Sequence, residues 1–300
     1  GHRRAGRGAA ALKGAIAVRE FTLADLDRAA GLGERLRAAD PAVEPFSQRL
    51  GVVATGPRAL LELWRVAEDE DGELHGIAFA AVREARAATL DIYAAVVPVL
   101  RRQGLGRALL EPLLSLPEVA LRGRVRDTEP AGRAFLASLG FTDVAAQLSL
   151  SWPGHPKPGL PEMPALRIRD AAARDQATVA RLSNEAWAGA PDSYGTRADE
   201  IAQLFGEEGR LVLLAESEKR PIGYLSAVRL GRTLGIEEVA VLPDFRRMGV
   251  GRALLAAALH RDIAGAVLSV NEDNKPARAL YRSLGFAQVA RRMVMERRNE

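Results

Sequence analysis

One stretch of this chain is written twice. Val96-Val97-Pro98-Val99-Leu100-Arg101-Arg102-Gln103-Gly104-Leu105-Gly106-Arg107-Ala108-Leu109-Leu110 returns 145 positions later as Val241-Leu242-Pro243-Asp244-Phe245-Arg246-Arg247-Met248-Gly249-Val250-Gly251-Arg252-Ala253-Leu254-Leu255. Ser138-Leu139-Gly140-Phe141 returns as Ser283-Leu284-Gly285-Phe286 at the same spacing. Two motifs repeating at one offset imply a duplicated domain. A chain of 300 residues then holds two ordinary domains, each large enough to bury a core without staples. The repeats are expected at 15–152 and 165–300, after a flexible basic tail (1–14) and around a Pro-rich linker (153–164). The linker, dense in Pro and Gly, cannot form a regular element.

Each copy of the motif reads as a buried strand stopped by Pro, then an Arg-rich turn with glycines two apart, then an apolar helix. Pro has no N–H to continue a central ladder. Gly249 and Gly251 let a ligand approach the backbone. The unpaired amides of the helix's first turn, backed by the helix dipole, suit a phosphate. Arg246, Arg247 and Arg252 could add charge-assisted hydrogen bonds. Other phosphate motifs do not fit. No Lys follows either glycine pair, as a P-loop requires. The third Gly of a dinucleotide fingerprint is replaced by Leu254, or by Leu109 in the first copy.

Arg246-x-x-Gly249-x-Gly251 behind Val239-x-Val241-x-Pro243 resembles the acetyl-coenzyme A signature of the GNAT superfamily of N-acetyltransferases. Asn274-x-x-Ala277-x-x-x-Tyr281, followed by Leu284-Gly285-Phe286, resembles that family's second signature. The fold this implies is α/β: two tandem GNAT-like domains, each a mixed, mostly antiparallel twisted sheet flanked by helices. The implied cosubstrate is acetyl-CoA. By similarity its binding falls to Val239, Val241, Arg246, Arg247, Gly249, Val250, Gly251, Arg252 and Asn274, and in the first copy to Arg101, Gly104 and Gly106.

Acetyl transfer to an alkylamine needs a base, because such an amine, with a pKa of about 10, is nearly all ammonium at neutral pH. It also needs an acid for the departing thiolate. Tyr281 sits where the family's general acid commonly lies; otherwise it is a core ring whose hydroxyl finds a carbonyl. Glu237 is the candidate base, since even steps place it on one strand face with Val239 and Val241. An ordinary solvated carboxylate is the competing reading. A bulge would bring in Glu238 instead, and water could serve.

In the first copy the offset puts Ile92 opposite Glu237 and Leu136 opposite Tyr281. Aligning Pro130 with Pro276 puts Phe135 there. Neither choice supplies a hydroxyl, and Glu129 or Pro130 replaces Asn274. The first domain therefore reads as degenerate and non-catalytic, a structural or regulatory half that could still bind a CoA-type ligand, with the nearby polar residues Asp91 and Tyr93 as the catalytic alternative.

A degenerate first half before a complete second half resembles the mycothiol synthase family, which acetylates the cysteinyl amine of a pseudo-disaccharide thiol. The implied acceptor is a small-molecule primary amine, with Asp192, Ser193 and Tyr194 lining its cleft. Acetylation of protein N-termini or lysines, or a non-catalytic acyl-CoA sensor, are the alternatives. Composition removes other classes. The chain lacks Cys and has four scattered His, so no thiol nucleophile and no metal site is expected. A net charge of +4 with dispersed arginines argues against nucleic acid. No membrane span or secretory core is visible, so a cytoplasmic protein is expected.

Overall fold

The structure, a computed structural model, describes residues 15–39, 61–84, 89–188, 201–202, 205–206 and 208–299. The chain forms two compact units. The first comprises Gly1–Gly123, Ala134–Thr142 and Met295–Glu300, the second Arg124–Arg133 and Asp143–Val294.

The first unit holds β1 (Ala17–Glu20), α1 (Leu26–Ala39), β2 (Arg65–Glu68), β3 (Leu74–Glu84), β4 (Thr89–Val96) and α2 (Leu105–Leu114), with the start of β5 (Ala120–Arg126) and the end of α3 (Pro130–Ser138). Its strands lie in that order, antiparallel except for the parallel β4–β5 pair. One core packs Leu32 and Leu36 of α1 against Trp64, Ile77 and Phe79.

The second unit contains β6 (Thr142–Trp152), β7 (Leu166–Asp170), α4 (Gln176–Trp187), β8 (Arg210–Ser217), β9 (Arg220–Leu230), β10 (Thr233–Val241), α5 (Val250–Leu259), β11 (Gly265–Asn271), α6 (Lys275–Ser283) and β12 (Ala287–Arg298) up to Val294. Strand order is β12-β6-β11-β10-β9-β8-β7. Only β10–β11 is parallel among the registers from β6 to β7. Alternation along the strands feeds two cores. Leu234, Ile236, Leu268 and Val270 meet Leu254, Leu255 and Leu259 of α5 on one face. On the other, Val212, Leu214, Tyr224 and Ala240 meet Val179, Leu182 and Ala186 of α4.

Two features differ from the reading of the repeats. β6 pairs with β11 from Trp152↔Ala266 to Gln147↔Asn271, and Leu148, Leu150 and Trp152 fill the second unit's core. Residue 152, where the first sequence repeat ends, is therefore not the edge of the first compact unit.

The second difference is a register shift in β10 between Ile236 and Glu238, whereas β4 pairs with β3 without a break from Leu90 to Val96. Thr89-Leu90-Asp91-Ile92 corresponds to Thr233-Leu234-Gly235-Ile236, 144 positions on, and the offset is 145 only after the shift. Ile92 is thus the counterpart of Ile236, and Glu237 is an extra residue forming a β-bulge. The bulge also reverses the alternation. Val239 and Val241 pack toward the core that holds Ile236, while Glu237 is exposed and paired with Arg210. The expectation that Glu237, Val239 and Val241 share a face is corrected by this one inserted residue.

Candidate active site

β10 and β11 run together only from Thr233↔Gly265 to Ile236↔Leu268. Beyond that, β10 follows β9 to Val241↔Gly223 and β11 follows β6 to Asn271↔Gln147. Each strand is held by its outer neighbour, so the two part and leave facing edges with unpaired backbone groups. Such a seam can accept a strand-like ligand by main-chain hydrogen bonds.

The seam leads to the loop before α5. Pro243 ends the strand, Arg247 takes φ 64° and Gly249, at the helix N-cap, takes φ 89°. These left-handed turns aim successive amides one way. The amides of residues 247–252 meet no acceptor among the described residues, as expected of a helix start awaiting an anion. The glycines serve different ends. Gly249 supplies the positive φ, with Met163 of the linker close by. At Gly251 the φ is not positive, and a Cβ would make only ordinary contacts, 3.4 Å from Leu280 and 3.9 Å from Val239 and Val241.

The predicted side chains divide. Arg247 is exposed and without a partner among the described residues. Arg252 donates to Ser283 Oγ at 2.9 Å. Arg246 is exposed as well, but its Nε donates to Val241 O at 3.1 Å and an Nη to Ala186 O. Asn274 caps α6, its Oδ1 accepting the Ala277 amide at 3.1 Å, which is why the helix begins there. Tyr281 is half-buried, its ring edge-on to Phe286 with centroids 5.8 Å apart. Burial raises the pKa of its hydroxyl above the usual tyrosine value, so the phenol holds its proton at neutral pH.

Sequence reading named Glu238 but passed over the side chains around it. Glu238, on the α4 face of the bulge, accepts from the Trp187 indole and, at 3.4 Å, from Ser183 Oγ, both through Oε1. Beneath it, Tyr224 is fully buried, and its hydroxyl has no partner in hydrogen-bond geometry. Burial, followed by the neighbouring Glu238 charge, pushes that hydroxyl's ionisation far up. In the first unit the strand registers put Tyr93 at the place of Glu238 and Ile77 at that of Tyr224. There Tyr93 stacks on Phe79 at 4.7 Å. The polar nest thus belongs to the unit that carries Tyr281. Asp192, Ser193 and Tyr194 lie outside the described residues.

The first unit keeps the backbone of the cradle. β4 leaves β5 after Asp91↔Arg122, Arg102 and Gly104 take φ 68° and 85°, and Arg101 Nε donates to Val96 O at 3.0 Å. The match of α3 to α6 puts Leu136, buried beside Gly123, at the place of Tyr281, and Phe135 against Gly106 at the place of Leu280. Neither Glu238 nor Tyr281 has a counterpart of its own kind in the first unit.

A duplicated ion cluster holds the base of each unit. Arg19 bridges Asp25 and Glu68, and Arg169 bridges Asp175 and Glu216. The shared Arg-x5-Asp spacing was its available sequence signal. Asp69, Glu73 and His75 bring ligand atoms within 4.8 Å of one another, but His75 is already bonded to Asp69 and Glu73 is paired with Arg35. No described helix is long and apolar enough to cross a membrane.

Residues 178–286 match the acetyltransferase (GNAT) family. A mycothiol acetyltransferase of Clavibacter michiganensis subsp. michiganensis is 30% identical over 277 residues, covering 86% of this chain and 87% of that protein. One from Thermobifida fusca is 30% identical, covering 85% and 89%. Among solved structures, a GCN5-related N-acetyltransferase from Sphaerobacter thermophilus superposes with TM-score 0.75 at 20% identity, over 94% of this chain and 95% of that one. A tandem GNAT protein from the clavulanic acid biosynthesis pathway gives 0.74 at 20% identity, over 95% and 98%. The chain belongs to the GNAT family of acetyltransferases, as a tandem member similar over most of its length to mycothiol acetyltransferases.

Proposed function

We propose that the second unit transfers the acetyl group of acetyl-CoA to a primary amine of a small polar molecule, and that the first unit does not catalyse. The observation that carries this reading is the open β10–β11 seam ending on the unpaired amides of residues 247–252. A pantetheine arm fits the seam as a strand would. The pyrophosphate fits the amides, with Arg247 and Arg252 at hand. Glycine at 249 allows the left-handed turn that presents those amides.

The bulge is the place for the amine, because the strands diverge there. Proton removal is assigned to Glu238 rather than to Glu237. Glu237 is exposed and engaged by Arg210, whereas Glu238 is held by Trp187 and Ser183 through one oxygen. Both of those donors reach Oε1 and neither reaches Oε2. That oxygen can take a proton from an ammonium before attack. Tyr281, kept protonated by burial, supplies a proton to the departing sulfur.

The small-molecule acceptor follows from the mycothiol acetyltransferase relatives, and a cysteinyl amine is the first substrate to try. The test is release of free thiol from acetyl-CoA across an amine panel that includes amino-sugar conjugates, peptides and lysine side chains. Glu238→Gln should lower turnover by about 10²–10⁴-fold with the neutral-pH loss partly recovered at high pH. Unchanged turnover in that variant would remove Glu238 from the mechanism. A panel answered only by peptides would replace the acceptor class.

A further inference from the structure

We infer that Arg246 is a positioning residue that couples the cofactor loop to the acceptor side of the site. Resting on the functional reading above, this adds an order of events to it. The motif suggests an anion ligand, but the guanidinium is turned away from that task. Its Nε holds Val241 O, where β10 ends, and an Nη holds Ala186 O. Ala186 lies in the last turn of α4, where carbonyls have no intrahelical donor. The same turn ends in Trp187, whose indole holds Glu238.

A short chain of contacts therefore runs from the loop amides through Arg246 and the last turn of α4 to the carboxylate on the bulge. An anion seated on residues 247–252 fixes the backbone that carries Arg246, and with it the turn that sets Trp187 on Glu238. The cofactor site, when filled, prepares the amine site.

The first unit provides a comparison within the chain. Arg101 keeps the strand-end bond to Val96 O, but bonds no carbonyl of α1 among the described residues. Its helix has Arg37 where α4 has Trp187, and Tyr93 stands in place of Glu238. The helix-directed bond of Arg246 is thus found in the unit that has a carboxylate to position.

Trp187 provides the readout. It is 37% exposed, whereas Trp64 and Trp152 are 0% and 1% exposed, so acrylamide quenching of the whole protein reports mainly on Trp187. CoA is titrated into the full chain, followed by calorimetry and by quenching in parallel. In the wild-type protein, saturation should lower the quenching constant by about twofold as the last turn of α4 is held. Arg246→Gln should bind CoA within about threefold of wild type but lose the CoA-dependent change in quenching, and Arg246→Lys should recover part of it.

Wild-type protein that binds CoA with no change in quenching overturns the inference, and does so even if Arg246→Gln fails to fold. A loss of CoA affinity of about tenfold or more in folded Arg246→Gln also overturns it, since that is the behaviour of a direct phosphate ligand. No CoA binding by the wild type overturns the functional reading itself, and this inference with it.

Discussion

Gly249 and Gly251 stand two apart in one motif, yet the structure predicts opposite outcomes for the same substitution. Gly249 takes φ 89°, a conformation in which an L-residue costs about 1–2 kcal/mol. Alanine there would also meet Met163 Sδ at 3.4 Å, an ordinary contact, so backbone strain is the whole effect. If the loop keeps its shape, Gly249→Ala lowers stability by that amount, roughly 2–8 °C in midpoint. If the loop relaxes to escape the strain, the same energy is lost from CoA affinity, about 5–30-fold. Gly251 has no positive φ, and a Cβ there finds Leu280 at 3.4 Å and the two valines at 3.9 Å. Gly251→Ala should therefore fold at least as well as wild type, gaining up to about 1 kcal/mol of helix propensity, and bind CoA within about threefold. Thermal unfolding and calorimetry with CoA measure both quantities. Equal penalties for the two variants, or an unaffected Gly249→Ala, would refute the reasoning.

Three further outcomes are expected. Tyr281→Phe should reduce turnover by about 10²–10⁴-fold while CoA affinity by calorimetry stays within about twofold. Equal loss of both would mark Tyr281 as a packing residue. Arg169 beside Asp175 lowers that carboxyl's pKa to about 2, below its unfolded value near 4. Its stabilisation, up to about 2 kcal/mol, is then complete above pH 4 and fades as pH falls toward 2. In denaturant melts Asp175→Asn should be destabilised at pH 6 and much closer to wild type at pH 2. Finally, a fragment beginning at 165 lacks Leu148, Leu150 and Trp152, which β6 buries in the second core. At about 1.5–3 kcal/mol each, their loss approaches the whole stability of a domain. That fragment should show no cooperative melt by circular dichroism, and one beginning at 143 should be measurably more stable.

Much of the molecule is written in local order. The duplication, the strand–turn–helix of the cradle and the glycine requirement at 249 could be read directly, because a backbone turn is set by the residues that make it. The GNAT resemblance rested on these features. Tyr281 falls on α6 as its spacing from Asn274 implied, and the shared geometry of α3 and α6 settles Leu136 as its first-unit counterpart.

What needed tertiary structure is each choice of a distant partner. Glu237 and Glu238 are adjacent and chemically alike, and only the register of β10 on β9 decides which is the extra residue and which faces α4. The motif arginines look interchangeable in the text, yet Arg246 is drawn to the end of a helix 60 residues away in sequence and Arg247 meets no partner among the described residues. β6 belongs to the first repeat by its position and to the second unit by its pairing. Short-range spacing encodes dihedral angles and helix faces, whereas pairing depends on which complementary edge is near when the chain closes, a property of the assembled sheet.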